Sequence, residues 1–320
     1  MKFTTKIEIP NNSSSINYHS RIVSLGSCFA ENMGHQLAYH KFQSHTNPFG
    51  IIFNPVSIAN IISRGVQKEY FTEETIFFHN EIWQCYEVHS QLSNANKTAF
   101  LDALNQLVDT TFEQLKNATH VIITLGTAWA YRHIATNTVV ANCHKVPQQQ
   151  FAKELLPVAI IKENIENSIR LIQSINSNAT FIFTISPVRH IKDGFVENQV
   201  SKAHLITAVY QVVTASKIGN PQAVNYFPSY EIMMDELRDY RFYAEDMLHP
   251  SPTAIAYIWE QLVETHFDQE TTETMALVQS IQKGLSHRPL NPSSESHQKF
   301  IVNLNLKMNT LVKKYPFITF

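Results

Sequence analysis

The order of its apolar segments constrains the fold of this chain most. Short apolar runs end at Leu25, Leu125, Ile185 and Phe227, and the stretches between them repeat apolar residues with the period of a helix. Helices that alternate with fully apolar strands indicate a parallel sheet that is covered by helices on both faces. The sequence therefore predicts an α/β fold built around such a sheet.

The same spacing places individual elements along the chain. Strands are predicted at 21–25, 42–46, 119–125, 180–185 and 223–227, and hairpins at 75–87 and 130–142. Helices are predicted at 28–39, 56–64, 100–115, 161–175 and 198–216, and from Pro252 onward after a Ser251 cap. Beyond about His266 the strands stop. We therefore predict a main domain of residues 1–267 and a helical C-terminal extension, 268–320, packed on it.

Composition and charge argue against several function classes. A net charge of −2 over 320 residues gives no electrostatic reason to expect nucleic acid or an anionic membrane as a partner. There is no apolar run of about 18 residues and no secretory signal pattern in residues 1–10, so we expect a cytoplasmic protein. Cys28, Cys85 and Cys143 fit free thiols in a reducing compartment. A metal site at Cys85, Cys143 and His144 is poorly supported by their spacing.

Two of the predicted strands run into polar motifs at a position suited to ligand binding. If the sheet has the order 2-1-3-4-5, its connections reverse between the strands ending at Leu25 and Leu125, and ligands bind beyond such a reversal. These strands lead into GSCFA and LGTAW. Ser27 thereby lies at the start of a helix, where backbone N–H groups and the helix dipole favour negative charge.

A second polar motif, AEDMLHPSP, supplies the partners that a serine nucleophile needs. Asp246 and His249 are three residues apart in a turn-prone segment. His249 can act as general base on the Ser27 hydroxyl, while Asp246 holds the imidazole tautomer. The three residues predict a serine hydrolase or an acyl transferase. Two alternatives stay open, a purely capping role for Ser27 and a nucleophilic Cys28 thiol at the helix start.

Six segments, in this order, resemble the GSCFA family, a branch of the SGNH (GDSL-like) hydrolases: IVSLGSCFA, NPFGIIFNP, ITLGTAWAY, ANCHKVP, TISPVRH and DMLHPS. The resemblance covers residues 21–260 and extends loosely to Asn291. It implies a three-layer α/β/α flavodoxin-like fold, Ser27 as the nucleophile, Asp246 and His249 as the D-x-x-H pair, and no metal or organic cofactor. The G-x-S-x-G motif of the rival α/β-hydrolases is absent.

The oxyanion hole is where this chain departs from the family pattern. The resemblance implies the backbone N–H groups of Ser27 and Gly50 as donors, together with an Asn in the third block. Ala128 occupies that Asn position and cannot donate, which typically costs about 3–4 kcal/mol of transition-state stabilisation. We therefore expect a substitute donor. The candidates are Asn142, His144, Thr127 and Trp129.

Each of these residues also has a structural explanation. A tight turn alone would also account for Gly50, because glycine adopts backbone conformations closed to other residues. Asn142 and His144 could form a satisfied buried polar pair, and Trp129 could belong to the core.

The resemblance implies an esterase that cleaves a small acyl ester through an acyl-Ser27 intermediate. An O-acetyl ester, for example on a carbohydrate, is favoured because no long apolar stripe suggests a tunnel for an acyl chain. An acyltransferase using the same three residues is the first alternative. Because Ala128 removes an oxyanion donor, a non-catalytic carbohydrate-binding or scaffold protein is the second.

Overall fold

A computed structural model describes residues 5–10, 14–219 and 223–320, and it shows ten strands and nine α-helices in these ranges. The strands are β1 (Arg21–Gly26), β2 (Gln43–Thr46), β3 (Phe77–His79), β4 (Ile82–Gln84), β5 (His120–Leu125), β6 (Trp129–His133), β7 (Thr138–Val140), β8 (Phe151–Leu155), β9 (Thr180–Ile185) and β10 (Val224–Phe227). The helices are α1 (Cys28–Tyr39), α2 (Pro55–Gln67), α3 (Lys97–Asn117), α4 (Val158–Ile175), α5 (Phe195–Gly219), α6 (Ser229–Glu231), α7 (Pro252–His266), α8 (Gln269–Ser286) and α9 (Glu295–Lys314).

Five strands form the central sheet in the order β2-β1-β5-β9-β10, and every pairing is parallel. All residues of β5 and β9 are buried, as expected for a sheet covered on both faces. The predicted α/β fold is confirmed. The connections reverse between β1 and β5, at the position where the sequence places GSCFA and LGTAW.

Alternate residues of the strands pack into two apolar layers. Val121 and Ile123 of β5 face a cluster formed with α2, α3, α4 and α5, while Ile122 faces a cluster formed with α1, α7, α8 and α9. The helices of the predicted C-terminal extension therefore pack on the α1 side of the sheet. The predicted main domain begins at residue 1, but residues 1–4, 11–13 and 220–222 lie outside the described ranges.

Two local differences from the predicted elements bear on the candidate site. β8 was not predicted, and it pairs with β6 to complete a three-stranded antiparallel sheet, β7-β6-β8. Its sequence, FAKEL, lacks β-branched residues and therefore the usual strand signal. Helix α5 begins at Phe195, three residues earlier than the predicted start at Asn198. No helix in the described ranges is both long and apolar enough to cross a membrane.

Gly26 ends β1 in a conformation that favours glycine. Its φ is 136°, and an added Cβ would lie 2.1 Å from the Thr124 carbonyl oxygen of β5. Because this contact is with the backbone of a buried strand, which cannot easily move, we expect Gly26→Ala to lower the free energy of unfolding by roughly 2–5 kcal/mol. Gly284→Ala is the matched control, since its nearest neighbour is the flexible end of Leu304. Urea unfolding of both variants measures this, and equal losses would contradict the explanation.

Candidate active site

Ser27 lies at the junction between β1 and α1, as the sequence predicts. It caps α1, because its Oγ accepts a hydrogen bond from the Phe29 N–H at 3.2 Å, and the residue is only 1% exposed. Its own N–H donates to the Thr124 carbonyl of β5 at 3.1 Å. The side chain therefore stands at the point where β1 and β5 diverge, and its capping role is compatible with a catalytic one.

Asp246 and His249 form a hydrogen-bonded turn before α7. Asp246 Oδ2 lies 2.6 Å from His249 Nδ1, and Asp246 Oδ1 accepts the N–H groups of His249 and Leu248 at 2.9 Å each. The backbone N–H groups, together with the His249 side chain, lower the pKa of Asp246 to about 2. The carboxylate is therefore charged at neutral pH. With Nδ1 engaged, His249 Nε2 is the ring nitrogen left for another group.

Ser27 and His249, from opposite ends of the main domain, line one cavity of about 440 Å³. Most of its wall is apolar, with Ile51, Phe53, Trp129, Val140, Ile191 and Leu248 among the lining residues. No hydrogen bond joins Ser27 Oγ to His249 within the described part of the chain. Catalytic hydrogen bonds often tighten only when substrate binds.

Arg189 fixes the turn that carries His249. Its backbone N–H donates to the Leu248 carbonyl at 3.1 Å, and its guanidinium donates to the Met247 carbonyl at 3.2 Å. Met247 has a φ of 58°, a backbone conformation that residues other than glycine rarely adopt. Arg189 therefore ties the loop after β9 to this turn and holds His249 at the cavity.

One face of α5 organises the loop that follows β5. Ser201 Oγ hydrogen-bonds Thr127 Oγ1 at 2.8 Å and accepts the Ala128 N–H at 2.7 Å. Lys202 Nζ donates to the Gly126 carbonyl at 2.7 Å. These bonds fix the backbone of the LGTAW segment beside the cavity.

Lys202 also connects this loop to the end of β9. Its Nζ donates to the Ser186 carbonyl at 2.7 Å, and the residue is 1% exposed. Burial lowers the pKa of Lys202 to about 7, although the Cys28 and Glu231 charges oppose this shift. Sequence reasoning missed this lysine. The feature of the sequence that could have indicated it is the i, i+3, i+4 spacing of Asn198, Ser201 and Lys202, which places three polar residues on one face of a buried helix.

Lys202 should make stability depend on pH. Its pKa is lower in the folded protein than in the unfolded chain, so the unfolded chain binds more protons above about pH 7 and stability rises with pH. Between pH 7.5 and 8.5 the wild type should gain about 1 kcal/mol relative to Lys202→Met, which keeps the length of the side chain without its charge. Chemical unfolding at both pH values measures this difference. Parallel pH slopes in the two proteins would contradict it.

The backbone donors that the family resemblance implies are already occupied. The Gly50 N–H donates to the Asn47 carbonyl at 2.8 Å, and Gly50 does not line the cavity. Its φ of 78° instead suits a tight turn. The Ser27 N–H is likewise engaged with Thr124. In this structure Gly50 closes a turn, and the prediction of Gly50 as an oxyanion donor has no support from its hydrogen bonding.

Asn142 and His144 also lie outside the cavity lining. Asn142 Oδ1 accepts the His144 N–H at 2.8 Å, and His144 Nε2 lies 2.6 Å from the Cys85 carbonyl oxygen. His144 is buried near the rings of Phe77 and Tyr86. The two residues are therefore hydrogen-bonded to each other as in the structural alternative, although Asn142 is only half-buried and His144 Nδ1 has no partner.

Thr127 and Trp129 do line the cavity, but their polar groups are hydrogen-bonded within the protein. Thr127 Oγ1 bonds Ser201 and accepts the Trp129 N–H at 3.1 Å. The Trp129 indole N–H donates to the Glu197 carbonyl at 3.3 Å. Trp129 therefore offers its ring to the cavity rather than a free donor.

Cys28 lines the same cavity as Ser27. Burial raises the pKa of its thiol, and the Glu31 charge adds to this effect. A thiol nucleophile needs a lowered pKa, so these surroundings disfavour Cys28 in that role. Among the described residues, no group of three His, Cys, Asp or Glu side chains is placed to hold a metal ion.

His190 lines the cavity as well, and sequence reasoning assigned it no role. Its ring stacks on Phe53 at 5.6 Å between centroids, and its backbone N–H donates to Asn198 Oδ1 at 2.8 Å. Burial, followed by the charges of Lys202 and His249, lowers the pKa of His190 to about 3. The signal was its position in TISPVRH, directly after a predicted strand.

Comparison with known proteins identifies the family. The model of the GSCFA family matches residues 21–262, and that of the C-terminal domain of GSCFA domain proteins matches residues 278–320. No curated protein matches the chain. The first match runs from β1 into α7 and includes Ser27, Asp246 and His249. Because it spans most of the sequence, the chain belongs to the GSCFA family.

Proposed function

We propose that this protein is a serine esterase of the SGNH type that hydrolyses a small acyl ester through an acyl-Ser27 intermediate. One observation carries the proposal. Ser27 and His249 line the same cavity, while Asp246 engages His249 Nδ1 and leaves Nε2 available. A hydroxyl, an imidazole and a charged carboxylate in this relation are the parts of a serine hydrolase site.

The reaction follows from these three groups. Ser27 Oγ attacks the ester carbonyl carbon, and its proton passes to His249 Nε2. The tetrahedral intermediate collapses, the bond to the alcohol oxygen breaks, and His249 returns the proton to that oxygen. Water then attacks the acyl-enzyme by the same route and releases the acid. Asp246 stabilises the imidazolium at each step and is not itself protonated.

The cavity supports a short acyl group on a larger alcohol. Its volume of about 440 Å³ far exceeds that of an acetyl group, so most of the space is left for the alcohol. Phe53 and Trp129 give the wall aromatic surface on which the apolar face of a sugar can pack. We therefore propose an O-acetylated carbohydrate as the substrate class.

Hydrolysis of matched esters tests the proposal. Activated acetyl, butyryl and octanoyl esters are compared with an acetylated oligosaccharide, and released acid is measured against acylated acceptor alcohol. We expect free acetate as the main product and the highest kcat/KM for acetyl esters. Acylated acceptor as the main product would indicate a transferase. Folded protein that binds the sugar but cleaves no ester would contradict an enzymatic function.

A further inference from the structure

The proposed esterase site lacks an obvious side-chain donor for the oxyanion. The Ser27 N–H is engaged with Thr124, and the Ala128 N–H is engaged with Ser201. Asn54 lines the cavity, but its side chain caps α2 and its Nδ2 donates to the Ser57 hydroxyl at 2.9 Å. A site of this type with no side-chain donor would lose a large part of its transition-state stabilisation.

His190 lines the cavity and carries a polar side-chain atom that is unused. Its Nε2 is buried and has no hydrogen-bond partner. Several other buried side-chain atoms share that property, Asn47 Nδ2, Thr124 Oγ1 and His144 Nδ1 among them, but of the residues described, only His190 has such an atom and also lines the cavity with Ser27 and His249. A buried polar atom without a partner is costly, and such atoms concentrate where a ligand supplies the missing contact.

The surroundings of His190 fix both its position and its charge. Phe53 covers one ring face, and Asn198 holds the backbone at the same residue. Burial and the nearby charges of Lys202 and His249 keep the imidazole neutral at physiological pH. A neutral imidazole with one N–H is a hydrogen-bond donor that does not compete with His249 for the Ser27 proton.

We propose that His190 is a catalytic residue that donates a hydrogen bond from Nε2 to the oxyanion of the tetrahedral intermediate on Ser27, in place of the side-chain amide that is absent at Ala128. This inference rests on the proposed esterase function. The proton remains on Nε2 throughout, so the step forms and breaks no covalent bond at His190. The Cys28 N–H, the first of helix α1, makes no hydrogen bond to another residue in the described part of the chain and is available as a second donor.

Two substitutions separate donation from packing. His190→Phe keeps an aromatic ring against Phe53 but removes the donor, so kcat for acetyl ester hydrolysis should fall by about 10²- to 10³-fold. KM should stay unchanged, because the oxyanion exists only after attack. His190→Gln carries an amide N–H and should recover about tenfold of that loss, the worth of one neutral hydrogen bond.

The pH profile of kcat/KM distinguishes a hydrogen-bond donor from a residue that only holds the site together. Since His249 remains the base, the acid limb of kcat/KM should keep its midpoint in both His190 variants while the plateau drops. His144→Phe is the matched control, because His144 likewise has a buried ring nitrogen without a partner but lies outside the cavity. Its kcat should match the wild type.

Three results would overturn the inference. These are wild-type kcat in His190→Phe, an equal loss in His190→Phe and His190→Gln, or loss of the acid limb in either variant. If His190→Phe does not fold, His190→Gln tests the inference alone. A lowered kcat at unchanged KM would support the donor role, whereas wild-type kcat at an altered KM would overturn it and assign His190 to substrate binding. Labelling of wild-type Ser27 by a fluorophosphonate keeps the two proposals distinguishable. A labelled Ser27 with fully active His190 variants removes only the donor role, whereas an unlabelled Ser27 removes the esterase.

Discussion

Replacing Ser27 by alanine should lower kcat for ester hydrolysis by about 10⁴- to 10⁶-fold, the range seen when a serine nucleophile is removed from a hydrolase. The Oγ is the only atom of the proposed site that bonds the acyl group, so no neighbour can replace it at comparable rate. The substitution also removes the cap that accepts the Phe29 N–H, which should cost about 1 kcal/mol of stability. Active-site titration of released alcohol, with thermal unfolding alongside, measures both effects.

Ser24→Ala is the matched control for this experiment. Ser24 is a buried serine of β1 whose hydroxyl has no hydrogen-bond partner and which does not line the cavity. Its replacement should leave kcat unchanged. If Ser27→Ala retains activity that iodoacetamide then abolishes, the nucleophile is Cys28, and the assignment of Ser27 is wrong.

Replacing Asp246 by asparagine should lower kcat by about 10²- to 10⁴-fold without unfolding the protein. An amide in this position can donate to His249 Nδ1, which turns the imidazole to the tautomer that cannot accept the Ser27 proton. The loss should lie below that of a fully buried triad, because solvent reaches both side chains and stabilises the imidazolium in part. Steady-state kinetics with an activated acetyl ester measure it.

Asp239→Asn provides the control for the Asp246 substitution. Asp239 is an exposed aspartate of a nearby turn whose Oδ1 accepts the Arg241 N–H at 2.9 Å, as Asp246 Oδ1 accepts that of Leu248. It does not line the cavity. Normal kcat in Asp239→Asn and reduced kcat in Asp246→Asn are expected. Equal activity of the two variants would take Asp246 out of the mechanism.

The fold could be predicted because its signals are local and repeated. The apolar runs that end at Leu125 and Ile185 are long enough to indicate buried strands, and the strand order then places Ser27 beside the reversal of the sheet. Ser251 followed by Pro252 marks the start of α7, and Ser251 Oγ does accept the Ala254 N–H. The strand β8 carried no such signal and was missed.

The oxyanion donors could not be predicted because they depend on which N–H groups the fold leaves free. Asn142 and His144 have suitable side chains, yet the structure uses them to bond each other and Cys85. Gly50 has the expected backbone flexibility, but its N–H closes a turn. His190 carries an unpaired side-chain atom, and although its position after a strand indicates that it lies near the site, the sequence does not show that this nitrogen has no partner.

The C-terminal helices pack against α1 and not over the cavity. The sequence left open whether they cover it. Among the described residues that line the cavity, none lies beyond His249. Met275 of α8 and Leu304 of α9 instead share an apolar cluster with Phe29, the second residue of α1. In this structure the extension therefore packs against the helix that Ser27 caps, and it does not form a lid over the cavity.

Identification of the residue modified by a fluorophosphonate tests the central claim most directly. Intact mass followed by peptide mapping should show one adduct per chain, located on Ser27, formed more slowly in Asp246→Asn and absent in Ser27→Ala. An adduct on another side chain, or no adduct on folded protein that still cleaves an acetyl ester, would contradict an acyl-Ser27 mechanism.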